Sequence, residues 1–288
     1  MKISVSSYSF SQQLNAKTMT QLDCVKKAAE MGFDGIEFTG IDGAPDMEEQ
    51  KKNAQAIRAE ADRLGLPIVA YTLGACLYAD DEEKLELEIQ RLKGQLDIAH
   101  ILGAPVFRHD VCYELGKSGN ARSFDRMLPT IARCARQVTE YGAQLGIRTC
   151  SENHGFIAQD SDRVERLFNA VAHDNYGLLV DMGNFLCVDE NPATAVSRVA
   201  PYAVHAHAKD MVVREKPLGK EWIVSRGGQY LYGAVIGEGD VPVTRCLRAL
   251  KKSGYEGYVT IEYEGEEDCL TGIARGLKNL RAMMATIE

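Results

Sequence analysis

No stretch of the 288 residues reaches the eighteen or so apolar side chains that a membrane span requires. The opening MKISVSSYSF alternates like a strand and lacks the basic-then-apolar pattern of a secretory leader, so the expected compartment is the cytoplasm. Basic charge is also short: 33 Lys and Arg stand against 41 Asp and Glu, a net charge of −8, and no segment sets basic residues beside aromatics. That balance argues against a nucleic-acid or anionic-membrane partner. The eight cysteines, at positions 24, 76, 112, 134, 150, 187, 246 and 269, include no C-x-x-C pair. They therefore read as reduced packing residues rather than zinc ligands or a redox dithiol. A G-x-S-x-G elbow and a phosphate-loop motif are both missing, which disfavours nucleophilic hydrolysis and nucleotide hydrolysis. No G-x-G-x-x-G follows the first strand either, so an open dinucleotide-binding sheet lacks its fingerprint.

What the sequence does have is rhythm. Strand-like runs occur at Ile3–Ser7, Gly35–Phe38, Ile68–Tyr71, Val106–His109, Ile147–Glu152, Gly177–Asp181, Val204–Ala208 and Tyr258–Tyr263, with amphipathic segments between them. Several of those segments end in a Gly shortly before the next strand, as in AAEMGFDGIEF, ADRLGLPIVA, IAHILGAPVFR, TEYGAQLGIRT and LKKSGYEGYVTIE. A Gly just past a helix takes the left-handed conformation that stops it, so the corner recurs as a weak internal repeat. Eight strands alternating with helices predict one α/β domain over residues 1–288, a (β/α)8 TIM barrel. One segment breaks the rhythm: at about 210–240, after the seventh strand, a long loop carries Trp222, Tyr230, Tyr232 and Arg226. It is too aromatic for a solvated tail and is expected to cover a substrate or contact a partner.

Active sites of this architecture gather at the C-terminal ends of the strands. Glu152 closes the fifth strand in RTCSENHG, Asp181 the sixth in GLLVDMGN, His207 the seventh in AVHAHAKD, and Glu262 lies near the end of the eighth in GYVTIEYEG. Any one of these can be a helix cap or half of a salt bridge. Together, on four consecutive strands, they offer three carboxylates and an imidazole, a set suited to one Mn²⁺, Mg²⁺, Co²⁺ or Zn²⁺ ion rather than Cu(I) or an iron–sulfur cluster. Residues two apart in a strand share a face, which pairs His205 with His207 and Glu152 with His154. His207 is then the ligand, and His205, one layer deeper, a hydrogen-bonded core histidine. His109, which ends the fourth strand in PVFRHD, and His154 are candidate acid–base groups beside the ion or else structural residues. His100 and His173 fall in helical segments and read as surface or packing residues.

These motifs carry a resemblance. In their order and spacing, KISVSSYSF, MGFDGIEF, SENHG, VDMGN, HAHAKD, and IGEGDVP followed by LKKSGYEGYVTIEYE make the chain similar to the xylose isomerase-like TIM barrels. That group includes sugar isomerases, epimerases, inosose dehydratases and endonuclease IV. The resemblance covers nearly the whole chain. It implies one divalent metal, preferably manganese, on Glu152, Asp181, His207 and Glu262. It also implies a small-molecule carbohydrate substrate, from which a proton is moved at the carbon beside a carbonyl through an enediolate. Glu152 or His154 is the expected base and Glu262 or His109 the second acid–base group, with Tyr8, Arg108, Asn184, Lys209, Trp222 and Arg226 as expected substrate contacts.

The chain departs from the ketose 3-epimerases, whose sixth-strand motif resembles D-T-x-H and puts a histidine where Asn184 stands. With its extra histidines and aromatic loop it is similar to the large subunits of C-glycoside deglycosidases, lyases that eliminate an aglycone from a 3-keto-sugar and work with a small second subunit. Isomerase or epimerase, that lyase and an inosose-type dehydratase thus remain side by side. The expected assembly is a homo-oligomer, or a hetero-oligomer with such a subunit. A non-catalytic binding subunit is the reading from another class, and metal content discriminates it. DNA repair of the endonuclease IV kind needs many more histidines and a basic face.

Overall fold

The computed structural model describes residues 1–42, 44, 46–116, 123–217 and 222–287. Its strands are β1 (Lys2–Ser6), β2 (Gly35–Thr39), β3 (Ile68–Leu73), β4 (Val106–His109), β5 (Arg148–Glu152), β6 (Tyr176–Asp181), β7 (Ala203–Ala208), β8 (Asp210–Arg214), β9 (Ile223–Val224), β10 (Tyr230–Ala234) and β11 (Tyr258–Ile261). The first seven and β11 form a closed parallel barrel in which β11 lies between β7 and β1. All eight expected barrel strands are present, with ends shifted by one or two residues; the last stops at Ile261, so Glu262 is the first residue beyond it.

Around the barrel run α1 (Ser11–Asn15), α2 (Gln21–Met31), α3 (Met47–Leu64), α4 (Glu82–Leu102), α5 (Phe124–Gln144), α6 (Ser161–Val171), α7 (Pro192–Val199), α8 (Val243–Lys252) and α9 (Cys269–Ala285). Their ends follow local chemistry. Thr20 and Asp23 form a reciprocal capping box at the start of α2, and Asp46 and Asp81 cap α3 and α4 through their carboxylates. Gly32 and Gly65 stop α2 and α3 at φ 79° and 65°, a conformation that costs other residues strain.

Each barrel strand presents alternate residues to the two sides of its wall. Outward side chains such as Tyr71, Phe107, Tyr176 and Val180 pack into one apolar core beneath the helices. The inward layer is unusually polar: Ser4, Glu37, Arg108, Glu152, Asp181, His205, His207 and Thr260 are all at most 7% exposed. A buried polar layer is stable only when its members satisfy one another or bind something.

All eight cysteines are free, and seven of them are buried. Among the described residues, no helix is long and apolar enough to cross a membrane. The long segment after β7 is more ordered than a loop. It folds into an antiparallel sheet in the order β8-β10-β9 at the mouth of the barrel, while its residues 218–221 lie outside the described residues.

Candidate metal centre

Four consecutive strands of the barrel wall, β5, β6, β7 and β11, bring Glu152, Asp181, His207 and Glu262 together. One ligand atom of each lies within 4.8 Å of the others. Every member is held by further contacts. Asp181 Oδ1 accepts N–H bonds from Gly183 and Asn184, both at 2.8 Å, which turns Oδ2 toward the centre. Asn153 bonds the Asp181 backbone on both sides, at 2.9 and 2.8 Å. Gly183 has no room for a side chain: a Cβ there would meet the Lys209 side chain at 2.8 Å and its carbonyl oxygen at 2.9 Å. Glu152 Oε1 accepts a 2.8 Å bond from Asn184 Nδ2, and Arg108 forks onto Oε2 through Nε at 2.5 Å and through Nη2. Lys209 Nζ sits 2.6 Å from Glu262 and 3.4 Å from Glu264, and donates to Asn184 Oδ1 at 3.2 Å.

The His207 ring is oriented from behind by a residue that sequence reading passed over. Glu37 Oε2, on β2, lies 2.9 Å from His207 Nε2 and 2.9 Å from His205 Nε2. His205 Nε2 is also 2.8 Å from the Thr260 hydroxyl. His205 is thus the hydrogen-bonded core histidine expected. With Nε2 engaged, His207 presents Nδ1 to the carboxylates at 3.6 Å from Asp181, 3.7 Å from Glu262 and 3.9 Å from Glu152. These separations exceed hydrogen-bond length. His207 Nδ1 and Asp181 Oδ2 are accordingly buried without a hydrogen-bond partner. Unpaired buried polar atoms that converge from different strands fit a cation whose bonds are about 2.0–2.2 Å long. A carboxylate behind the imidazole is the usual support of a metal-bound histidine.

The electrostatics agree with a site built for positive charge. Burial opposes charge on His207, yet the Glu37 and Glu262 carboxylates outweigh it and raise its pKa well above the usual imidazole value. Burial likewise works against Lys209, but Glu262, Glu264 and Asp181 hold it firmly protonated. The two outer carboxylates diverge. Burial raises Glu152 despite Arg108, whereas Lys209 and His207 overcome burial and hold Glu262 well below the carboxylate range.

Of the other expected site residues, Arg108, Asn184 and Lys209 join the centre, and Tyr8 and Trp222 line a cavity beside it. His154 stands at the rim, half-exposed, with Nδ1 3.2 Å from Asp110 Oδ1 at ion-pair distance but without hydrogen-bond alignment. Burial lowers its pKa and the Asp110 carboxylate more than restores it. Tyr113 donates to the other Asp110 oxygen at 2.6 Å.

Two expectations need correction. His109 does not reach the centre: because Arg108 points inward, His109 points outward, between the Phe107 and Tyr176 rings at centroid distances of 6.3 and 6.4 Å. Its Nδ1 contacts the Asp110 carbonyl oxygen at 2.9 Å, and burial lowers its pKa. Arg226 is committed elsewhere, to Asp160 at 2.9 Å and the Phe156 carbonyl at 2.5 Å, and pins the β9–β10 turn to the loop after β5. Glu37 was discoverable in principle, since a Glu inside the apolar run GIEF must face either the helices or the barrel interior. Glu264 follows Glu262 by two residues, and only the course of the chain after β11 brings it to Lys209.

Known proteins place this geometry in context. The chain is 25% identical over 278 residues to the rhizopine catabolism protein MocC of Rhizobium meliloti, covering 91% of this chain and 81% of that protein. It is 23% identical over 274 residues to inosose dehydratase of Lacticaseibacillus casei, covering 90% of each. Among solved structures, the IOLI protein with a bound zinc atom superposes with a TM-score of 0.78 at 16% identity, over 100% of this chain and 99% of that one. The profile of the xylose isomerase-like TIM barrel family matches residues 25–283, and the chain belongs to that family.

Proposed function

We propose that this protein is a divalent-metal-dependent enzyme that removes a proton from the carbon beside a carbonyl in a small keto-sugar or keto-polyol. The observation that carries the reading is the convergence of three carboxylates on His207 Nδ1, with that nitrogen and Asp181 Oδ2 buried and unpartnered. A bound ion, manganese in this proposal, supplies Lewis-acid polarisation of the carbonyl and an adjacent hydroxyl. Glu152 and Glu262 stand at the two ends of the four-strand arc, and each carries a fixed cation, Arg108 and Lys209. Two carboxylates in unlike environments can divide proton removal and proton return between them. Return to the neighbouring carbon isomerises the sugar; return to the opposite face epimerises it. We further propose a cytoplasmic protein acting as one domain, assembled as a homo-oligomer or with a small second subunit.

A second reading, elimination of water, is favoured by the His154–Asp110 pair. Asp110 supports the charged imidazole at the rim, where it can protonate a departing hydroxide. The L. casei relative, named an inosose dehydratase, is consistent with it. Manganese-loaded protein incubated in D₂O with candidate keto-sugars and inososes separates the two. Deuterium at the carbon beside the carbonyl supports proton transfer alone, and a conjugated enone absorbing in the ultraviolet supports elimination. Undiminished turnover by fully demetallated protein would falsify the proposal, and a metal-loaded protein that exchanges no substrate hydrogen points to a binding subunit.

A further inference from the structure

Asn184 ties the metal centre together from the side. Its Nδ2 donates to Glu152 Oε1 at 2.8 Å, its Oδ1 accepts from Lys209 at 3.2 Å, and its backbone N–H bonds Asp181 Oδ1 at 2.8 Å. It thus touches two of the four candidate ligands directly, and reaches Glu262 through the lysine that pairs with it. The carboxamide has one usable orientation, because Nδ2 faces a carboxylate and Oδ1 an ammonium. Where it stands depends on its backbone. Asn184 opens a short 3-10 helix, Asn184–Val188, that no side chain caps. Its carbonyl oxygen accepts a 2.7 Å bond from Gln159 Nε2, and Gln159 belongs to another loop, the one after β5.

Gln159 is buried, and both ends of its carboxamide are used. Oε1 accepts the Phe156 N–H at 2.5 Å, so Nε2 is left for the Asn184 carbonyl, and this amide too has a single usable orientation. Phe156 is in turn held in the left-handed region, at φ 68°, which bulky L residues rarely adopt. Its carbonyl accepts from Arg226 Nη2 at 2.5 Å, and Arg226 Nη1 binds Asp160 on the same loop at 2.9 Å. The residue before it is pressed against the loop after β4: a Cβ on Gly155 would meet the Cys112 carbonyl oxygen at 2.8 Å. The Phe156 ring itself remains 38% exposed, so burial of the ring does not account for the strained backbone. What the conformation does is aim the N–H at Gln159.

We infer that Gln159 is a positioning residue for the proposed reaction: it acts through Asn184, which it holds between Glu152 on one side and the Lys209–Glu262 pair on the other. A reaction that divides proton removal and return between two carboxylates depends on their relative placement, and small displacements are costly there. The inference rests on the proposed function for the reaction that is served; the hold on Asn184 and the metal ligands stands on its own geometry.

A double-mutant cycle tests it. Gln159→Leu and Gln159→Glu are each made alone and together with Asn184→Ala, manganese is titrated into every variant by calorimetry, and deuterium exchange into keto-sugars is followed. Gln159→Leu is expected to weaken manganese binding about tenfold and to lower kcat by a similar factor, with KM within about twofold of the parent and circular dichroism unchanged. Gln159→Glu keeps an acceptor for the Phe156 N–H but sets an oxygen against the Asn184 carbonyl, so the same losses are expected; being nearly isosteric, it carries the cycle where Gln159→Leu is too unstable to purify. In the Asn184→Ala background either change should cost less than about twofold, because residues that act through one another are not additive. Full additivity, or manganese affinity and kcat that stay at the parental values while only resistance to urea falls, overturns the inference and leaves Gln159 a packing residue. Exchange at the parental rate in Gln159→Leu removes the positioning role and leaves the proposed reaction standing. A coupled loss of manganese affinity without exchange on any keto-substrate does the reverse.

Discussion

His109 and His207 invite comparison. Both lie at or near the C-terminal ends of barrel strands, and both are completely buried. His207 faces the barrel interior, where a carboxylate holds one ring nitrogen and three more surround the other; its charge is favoured. His109 faces the helices among aromatic rings, and its charge is disfavoured. Burial is equal in the two cases. What differs is the side of the strand on which the ring emerges, so strand phase, rather than burial or position along the barrel, decides which histidine can serve as a ligand.

Substitutions can break this comparison. The largest effect is expected for His207→Ala, which removes the only ligand nitrogen of the four-residue group: stoichiometric metal binding, read by elemental analysis after dialysis, should fall to background together with turnover. Glu37→Gln keeps the ring and weakens its support. Metal affinity measured by calorimetry should drop by about 10–100-fold, the usual consequence of losing a partner behind a ligand. An unchanged affinity would show that Glu37 serves packing alone. The smallest effect is expected for His109→Phe, which should leave metal content intact and turnover within about twofold of the parent. The same variant sharpens the contrast through pH. A depressed folded-state pKa contributes stability that is complete above the unfolded value of about 6.5 and is lost as pH falls toward the folded one. Urea denaturation should therefore show the parent losing stability on acidification through that window and His109→Phe losing less.

The same contrast explains how much was legible in the sequence. Strand number, helix stops and the ligand residues emerged from local signals: alternation, Gly after a helix, polar residues closing apolar runs. Phase did not, because RHD at the end of β4 places three polar residues in a row and nothing local says which of them points inward. The register of β4 against β5 fixes it, by setting Arg108 beside Cys150 on the wall that leads to Glu152. Glu37 stayed hidden for a similar reason, as its histidine partners lie 168 and 170 residues away. Arg226 read as a substrate contact because it lies in an aromatic loop expected to cover a substrate, while its acceptors on Asp160 and Phe156 belong to a different βα unit. The ordered sheet after β7 escaped notice because β8 follows β7 after one residue and β9 is only two residues long.

Gly183 illustrates a constraint of another kind. It binds nothing through a side chain and adopts an ordinary backbone angle, φ −80°, yet the space where a Cβ would stand is taken by Lys209. Its N–H meanwhile fixes one Asp181 oxygen. Such a position is expected to tolerate almost no exchange, although it performs no chemistry. The M-G-N that follows Asp181 therefore answers to packing as much as to function, and a protein library randomised at Gly183 should return to glycine for want of room.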